Sequence, residues 1–172
     1  HESYEKFYSF SREQAIQAVS YYREYYEEKG MFENEVYPGI KELLRVLTKQ
    51  GILCLVATSK PEIYAKKILD YYKLRTYFHY IAGANMDGTR TDKAEVIAYA
   101  LKQIPAEYNN KKILMVGDRS HDIIGAKKNG IDCAGVLFGY GSREELEEAG
   151  ADFVADSVEA VRNIILLDTA MN

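Results

Sequence analysis

The run Gly117-Asp118-Arg119-Ser120-His121-Asp122 follows the apolar segment Lys112-Ile113-Leu114-Met115-Val116 and sets two carboxylates four residues apart. Asp118 and Asp122 converge if a helix begins between them, and two hard anionic oxygens beside open water positions suit Mg²⁺. Capping of the following helix explains either aspartate taken singly. A second run, Val56-Ala57-Thr58-Ser59-Lys60-Pro61, carries two hydroxyls from an apolar segment toward a helix start, where backbone N–H groups attract a phosphate. Ordinary capping explains Thr58 and Ser59 equally well. Lys93 opens an amphipathic stretch and has the charge to neutralise a phosphoryl oxygen in a transition state, although a single lysine is most often merely solvated. The conjunction matters more than any member: hydroxyls, lysine and paired carboxylates each follow a separate apolar segment.

The elements that must position these residues alternate regularly. Short apolar runs at 52–57, 79–83, 112–116, 133–138 and 152–155 read as buried strands, and helical periodicities at 40–50, 61–72, 93–104, 122–129, 143–149 and 158–165 separate or flank them. Pro61 suits the first position of its helix, and Ser142 with Glu145 has capping-box spacing. Five strands alternating with helices predict an α/β fold with a doubly wound, mostly parallel sheet covered on both faces. Ligands in such sheets bind at the carboxyl ends of the strands, where Thr58, Lys93 and Asp118 fall.

Residues 11–29 differ. Ser11 and Gln14 have capping-box spacing, Ala15, Val19, Tyr22 and Tyr26 follow at helical intervals, and Gly30 closes the run. Composition shifts at Tyr37-Pro38-Gly39, which marks a boundary between a segment 1–35 and an α/β unit 36–172. Tyr21, Tyr22, Tyr25 and Tyr26 form two i,i+4 pairs, for which packing against neighbouring helices is the simplest role.

The order and types of these residues resemble the haloacid dehalogenase superfamily of phosphatases. Val56–Pro61 is similar to its second motif, with Thr58 as the phosphate-binding hydroxyl. Lys93 within "RTDKAEVI" resembles the third-motif lysine, and "GDRSHD" resembles the fourth-motif acidic pair. The stretches "DGTRTDKAEVI" and "GDRSHDIIGAKKNGID" are most similar to the phosphoglycolate phosphatase and 5′-nucleotidase branch. The resemblance implies a Rossmann-like core, hydrolysis of a phosphomonoester of a small metabolite or nucleotide through an aspartyl-phosphate, and Mg²⁺ on Asp118 and Asp122. It also implies that residues 1–35 are the remnant of a helical cap.

One departure stands out. The family's first motif, Asp-x-Asp-Gly-Thr at the end of a strand, supplies the nucleophile, and no such strand precedes Thr58. Asn85-Met86-Asp87-Gly88-Thr89 is not a substitute: it begins with an amide and follows the second motif, and Asp-Gly is turn chemistry. Because the first residue is His1 rather than Met, the expectation is that the polypeptide continues upstream with the nucleophile strand and the rest of the cap. Residues 1–172 alone are then expected to be inactive and to bind Mg²⁺ poorly. A phosphomutase on the same scaffold, or a non-catalytic phosphate- or metal-binding module, are the alternatives.

Composition sets limits. The 172 residues carry a formal charge of −4 with 28% charged residues, an ordinary globular balance that argues against broad nucleic-acid or acidic-membrane binding. No apolar run reaches the about 20 residues needed to span a bilayer. Cys54 and Cys133 lie in apolar runs without zinc spacing, as expected of buried free thiols in a cytoplasmic protein. His121 is expected to face solvent and to have no catalytic role.

Overall fold

The computed structural model describes residues 2–169, which divide into two compact units with the boundary between Glu35 and Val36. The first contains α1 (Glu2–Tyr8) and α2 (Arg12–Glu28). Ser11 caps α2 through the box read from sequence: its hydroxyl accepts from the Gln14 amide while the Gln14 side chain accepts from the Ser11 amide. Tyr22 and Tyr26 stack at 5.6 Å between ring centroids, whereas Tyr21, Tyr22 and Tyr25 remain largely exposed.

The second unit alternates strands and helices: α3 (Ile40–Lys49), β1 (Leu55–Pro61), α4 (Glu62–Tyr71), β2 (Tyr80–Ala84), α5 (Lys93–Leu101), β3 (Leu114–Gly117), α6 (Ser120–Lys128), β4 (Asp132–Val136), α7 (Arg143–Glu148), β5 (Phe153–Ala155) and α8 (Val158–Thr169). Every strand pairing is parallel, as βαβ crossovers require. The strands form two sheets rather than one, however, β1-β2 and β3-β4-β5. Burial follows that division. Four of the five residues of β2 and of β4 are buried, whereas β1 and β3 contain none that is fully buried, and Val116 of β3 is 38% exposed. β1 and β3, like β2 and β5, each have an edge without a partner strand among the described residues, and the incomplete burial of β1 and β3 is an arrangement parallel sheets normally avoid.

Three apolar clusters hold the unit together. Val96 and Ala100 of α5 pack on Ala82 of β2, with Leu55 and Ala57 of β1 beside them. Ile123 and Ala126 of α6 join Cys133 and Leu146, and Leu43 and Leu47 of α3 join Val136, Ala155 and Val161. Burying side chains as fully as Ile97, Ile123 and Leu146 contributes about 1.5–3 kcal/mol each. Helices α5 and α6 meet directly: Asn129 donates to the Ala94 carbonyl at 3.0 Å, and a Cβ at Gly125 would sit 3.0 Å from Ile97.

Two local expectations change. β1 starts three residues later than the apolar run and continues to Pro61, so Thr58 and Ser59 lie in the strand, and Pro61 is the N-cap of α4 rather than its first residue. Cys133 is fully buried, but Cys54 is only partly so.

Candidate active site

Lys93 meets a backbone carbonyl of β1 and a carboxylate of α6. This residue opens α5, whose N-terminus is capped by Asp92 accepting from the Ala94 and Glu95 amides. The Lys93 ammonium donates to the Ala57 carbonyl of β1 at 3.2 Å and lies 2.8 Å from Asp122 Oδ1 on α6. One cation thus connects the end of the β1-β2 sheet to the helix that follows β3.

Asp122 is buried and has two tasks. Its Oδ2 accepts from the Asp118 and Arg119 amides at 3.1 and 3.2 Å, which caps the start of α6. Its Oδ1 meets Lys93 but accepts no well-aligned hydrogen bond. The approach of Gly117 makes this possible, since a Cβ there would lie 2.6 Å from Asp122 Oδ2. Helix capping is therefore one real function of Asp122, and it leaves one oxygen over.

Asp118 sits beneath the loop after β4. Its Oδ2 accepts from the Tyr140 amide at 2.9 Å, and side chains at Gly139 or Gly141 would strike Asp118. The Tyr140 ring, 86% exposed, stands on the outside of this loop. At β1, the register shifts between Ala57 and Pro61, a bulge that lifts Thr58, Ser59 and Lys60 out of the ladder. The Thr58 hydroxyl accepts from the Lys60 amide at 3.2 Å; Ser59 is exposed. His121 is exposed, with its Nε2 3.9 Å from Asp122 Oδ1.

Among the described residues no group of three or more His, Cys, Asp or Glu side chains is gathered to hold a metal. Asp118 and Asp122 nevertheless fit Mg²⁺, which keeps several waters and takes one or two carboxylates plus substrate oxygens. Asp122 Oδ1, which accepts no hydrogen bond and has only its ion pair with Lys93, is the observation that favours this fit.

Two supporting residues escaped the sequence reading. Glu145 accepts from the Ser120 amide at 2.8 Å and from Arg119 Nε at 3.0 Å, and these bonds hold its carboxyl down to about 2. Its spacing from Ser142 had suggested a reciprocal capping box; Ser142 does accept from the Glu145 amide, but the Glu145 side chain serves the Asp118 loop. Arg90 is the other, in a conformation no local pattern announces. The Asn85–Thr89 segment is a turn: Gly88 N donates to Asn85 O, Gly88 has φ 86°, and Asp87 Oδ1 accepts from the Thr89 amide and hydroxyl.

Comparison with known proteins adds an independent line. The family model described as haloacid dehalogenase-like hydrolase matches residues 1–136. The chain is 39% identical over 160 residues to a 5′-nucleotidase of Pseudomonas aeruginosa, spanning 92% of this chain and 71% of that protein. It is 37% identical over 156 residues to the tyrosine-protein kinase PtkA of Mycobacterium tuberculosis, spanning 89% of this chain and 53% of the other. Among solved structures, a provisionally assigned phosphatase from Clostridium difficile superposes with a TM-score of 0.89 at 48% identity, over 96% of this chain and 76% of that one.

Proposed function

We propose that this chain, which belongs to the haloacid dehalogenase-like hydrolase family, is the greater part of a Mg²⁺-dependent phosphomonoester hydrolase acting through an aspartyl-phosphate. The single observation that carries this reading is the Lys93 ammonium, held between the Ala57 carbonyl beside Thr58 and the buried Asp122. A fixed cation at that point offsets charge on a transferring phosphoryl group. Thr58 and Ser59, lifted from the ladder by the bulge, supply hydroxyl donors to phosphate oxygens. Asp118 and Asp122 hold Mg²⁺, which when bound draws negative charge off the phosphoryl oxygens.

The nucleophile comes from a strand outside residues 1–172, and the partnerless edges of β1 and β3 favour that assignment. A carboxylate oxygen of that strand attacks phosphorus as the ester oxygen leaves with a proton from the strand's second, protonated aspartate, which then takes a proton from the water that cleaves the acyl phosphate to release inorganic phosphate. Residues 1–35 belong to a helical cap. The substrate is a small phosphorylated metabolite or nucleotide, in keeping with the 5′-nucleotidase relative and with the motif likeness to phosphoglycolate phosphatases. The enzyme works in the cytoplasm, a reducing compartment that suits the free thiols Cys54 and Cys133. No described helix is long and apolar enough to cross a membrane.

A second reading sends the phosphoryl group to a hydroxyl instead of water, as a phosphomutase does, and the kinase-named relative favours it. Product analysis separates the two. The 172-residue chain is expected to release no phosphate from p-nitrophenyl phosphate, and a longer chain that supplies a strand ending in Asp-x-Asp-Gly-Thr is expected to do so. Release by the shorter chain, abolished by Asp118→Asn, overturns the external nucleophile.

A further inference from the structure

We propose that Arg90 is a positioning residue that fixes the distance between the two phosphate-contacting elements, the bulged end of β1 and Lys93. Four attachments converge on its guanidinium. Nε donates to the Gly83 carbonyl at the end of β2 at 2.8 Å, and Nη2 donates to Asn85 Oδ1 at 2.9 Å and to Glu62 Oε2 at 3.2 Å. Its Cζ lies over the Tyr99 ring, 3.7 Å from the centroid.

These partners belong to different elements. Glu62 is the first residue of α4, three positions after Ser59, and is itself paired with Lys66 at 2.5 Å. Tyr99 lies in α5, and its hydroxyl pairs with that of Tyr80 on β2 at 2.9 Å. Gly83 touches the same junction, since a Cβ there would meet Glu62 N and Lys60 O at 2.7 Å. Arg90 therefore ties the segment after the hydroxyl loop to the turn before Lys93, and both to the end of β2.

The backbone supports this role. Arg90 has φ 52°, a left-handed conformation that a non-glycine residue holds only where its surroundings fix it. Only two residues separate Arg90 from Lys93, so fixing the one aims the other. The ion pair with Glu62 is largely shielded, with side chains 18% and 21% exposed, which distinguishes it from the exposed surface pairs of this protein. A lysine in its place keeps the charge but loses both the fork and the flat stacking face.

Arg90's effect on phosphate rests on the phosphatase reading, whereas its effect on Lys93 rests on geometry alone, so the test has two arms. In the first, the 172-residue chain is labelled with limiting acetic anhydride, and acetylation of Lys93 is measured by mass spectrometry relative to exposed Lys102. Arg90→Ala and Arg90→Lys are each expected to raise Lys93 labelling about fivefold or more, with Lys127, ion-paired to Asp152 elsewhere, unchanged. Guanidinium chloride far below denaturing concentrations is expected to restore protection in Arg90→Ala. Lys93 labelling that stays at the wild-type level in both variants, or that rises equally at Lys127, overturns the proposal. In the second arm, calorimetric titration with inorganic phosphate and Mg²⁺ of the longer chain that supplies the Asp-x-Asp-Gly-Thr strand is expected to show weaker binding in both variants. Failure of the wild type to bind inorganic phosphate overturns the phosphatase reading, while the labelling arm still decides Arg90.

Discussion

Lys93 Nζ lies 2.8 Å from Asp122 Oδ1, and this ion pair joins helices that cover two separate sheets. Neither residue is near the other in sequence. The side chains are 11% and 6% exposed, so the pair is shielded from water and removal of one member strands the other.

Replacement of Lys93 by Met is therefore expected to destabilise the chain by about 3 kcal/mol, because Asp122 keeps its charge without a counterion. Urea unfolding measures the loss. The double variant Lys93→Met, Asp122→Asn is expected to recover part of it, and strict additivity of the two single changes would show that the pair is not coupled.

Gly117→Ala places a methyl group against the Asp122 carboxylate, 2.6 Å from its Oδ2. The side chain must shift and release the Asp118 and Arg119 amides it caps. A loss of about 1–3 kcal/mol is expected. Faster hydrogen exchange at those two amides identifies the cause; unchanged exchange contradicts it.

Glu145 contributes a pH dependence with a defined sign. Its folded carboxyl is held at about 2, below the ordinary 4.5, chiefly by the Ser120 amide and then by Arg119. A depressed carboxylate stabilises the fold above its unfolded value and loses that contribution as pH falls through the folded one. The stability difference between wild type and Glu145→Gln is thus expected to be constant above about pH 5 and to shrink as pH falls toward 2. Carboxyl NMR titration checks the same point, and a Glu145 midpoint near its ordinary 4.5 would rule it out.

Asp118→Asn tests the metal assignment apart from turnover. The amide keeps an oxygen for the Tyr140 N–H yet removes the charge a hard cation needs. In a longer chain that also supplies the Asp-x-Asp-Gly-Thr strand, Mg²⁺ or Mn²⁺ affinity, read by calorimetry or by Mn²⁺ resonance, is expected to fall about tenfold or more. Equal affinity in the variant places the metal elsewhere.

By itself, the sequence determined the α/β alternation, the parallel crossovers and the α2 capping box, because each depends on local periodicity, turn residues and spacing. It likewise identified Asn85–Thr89 as a turn, since Asp-Gly and a positive φ at Gly88 are local chemistry. Strand limits were less legible: an apolar run marks what is buried, and β1 continues beyond its own run into Thr58, Ser59 and Lys60. Tertiary structure alone decided the rest. Lys93 reaches Asp122 only because α5 and α6 pack together, and Glu145 turns from its own helix to the Ser120 amide only because α7 begins beside the Asp118 loop. Arg90 acquires four partners from three stretches of chain. Long-range juxtaposition leaves no period in a sequence, whereas a helix or a turn must be written into consecutive residues.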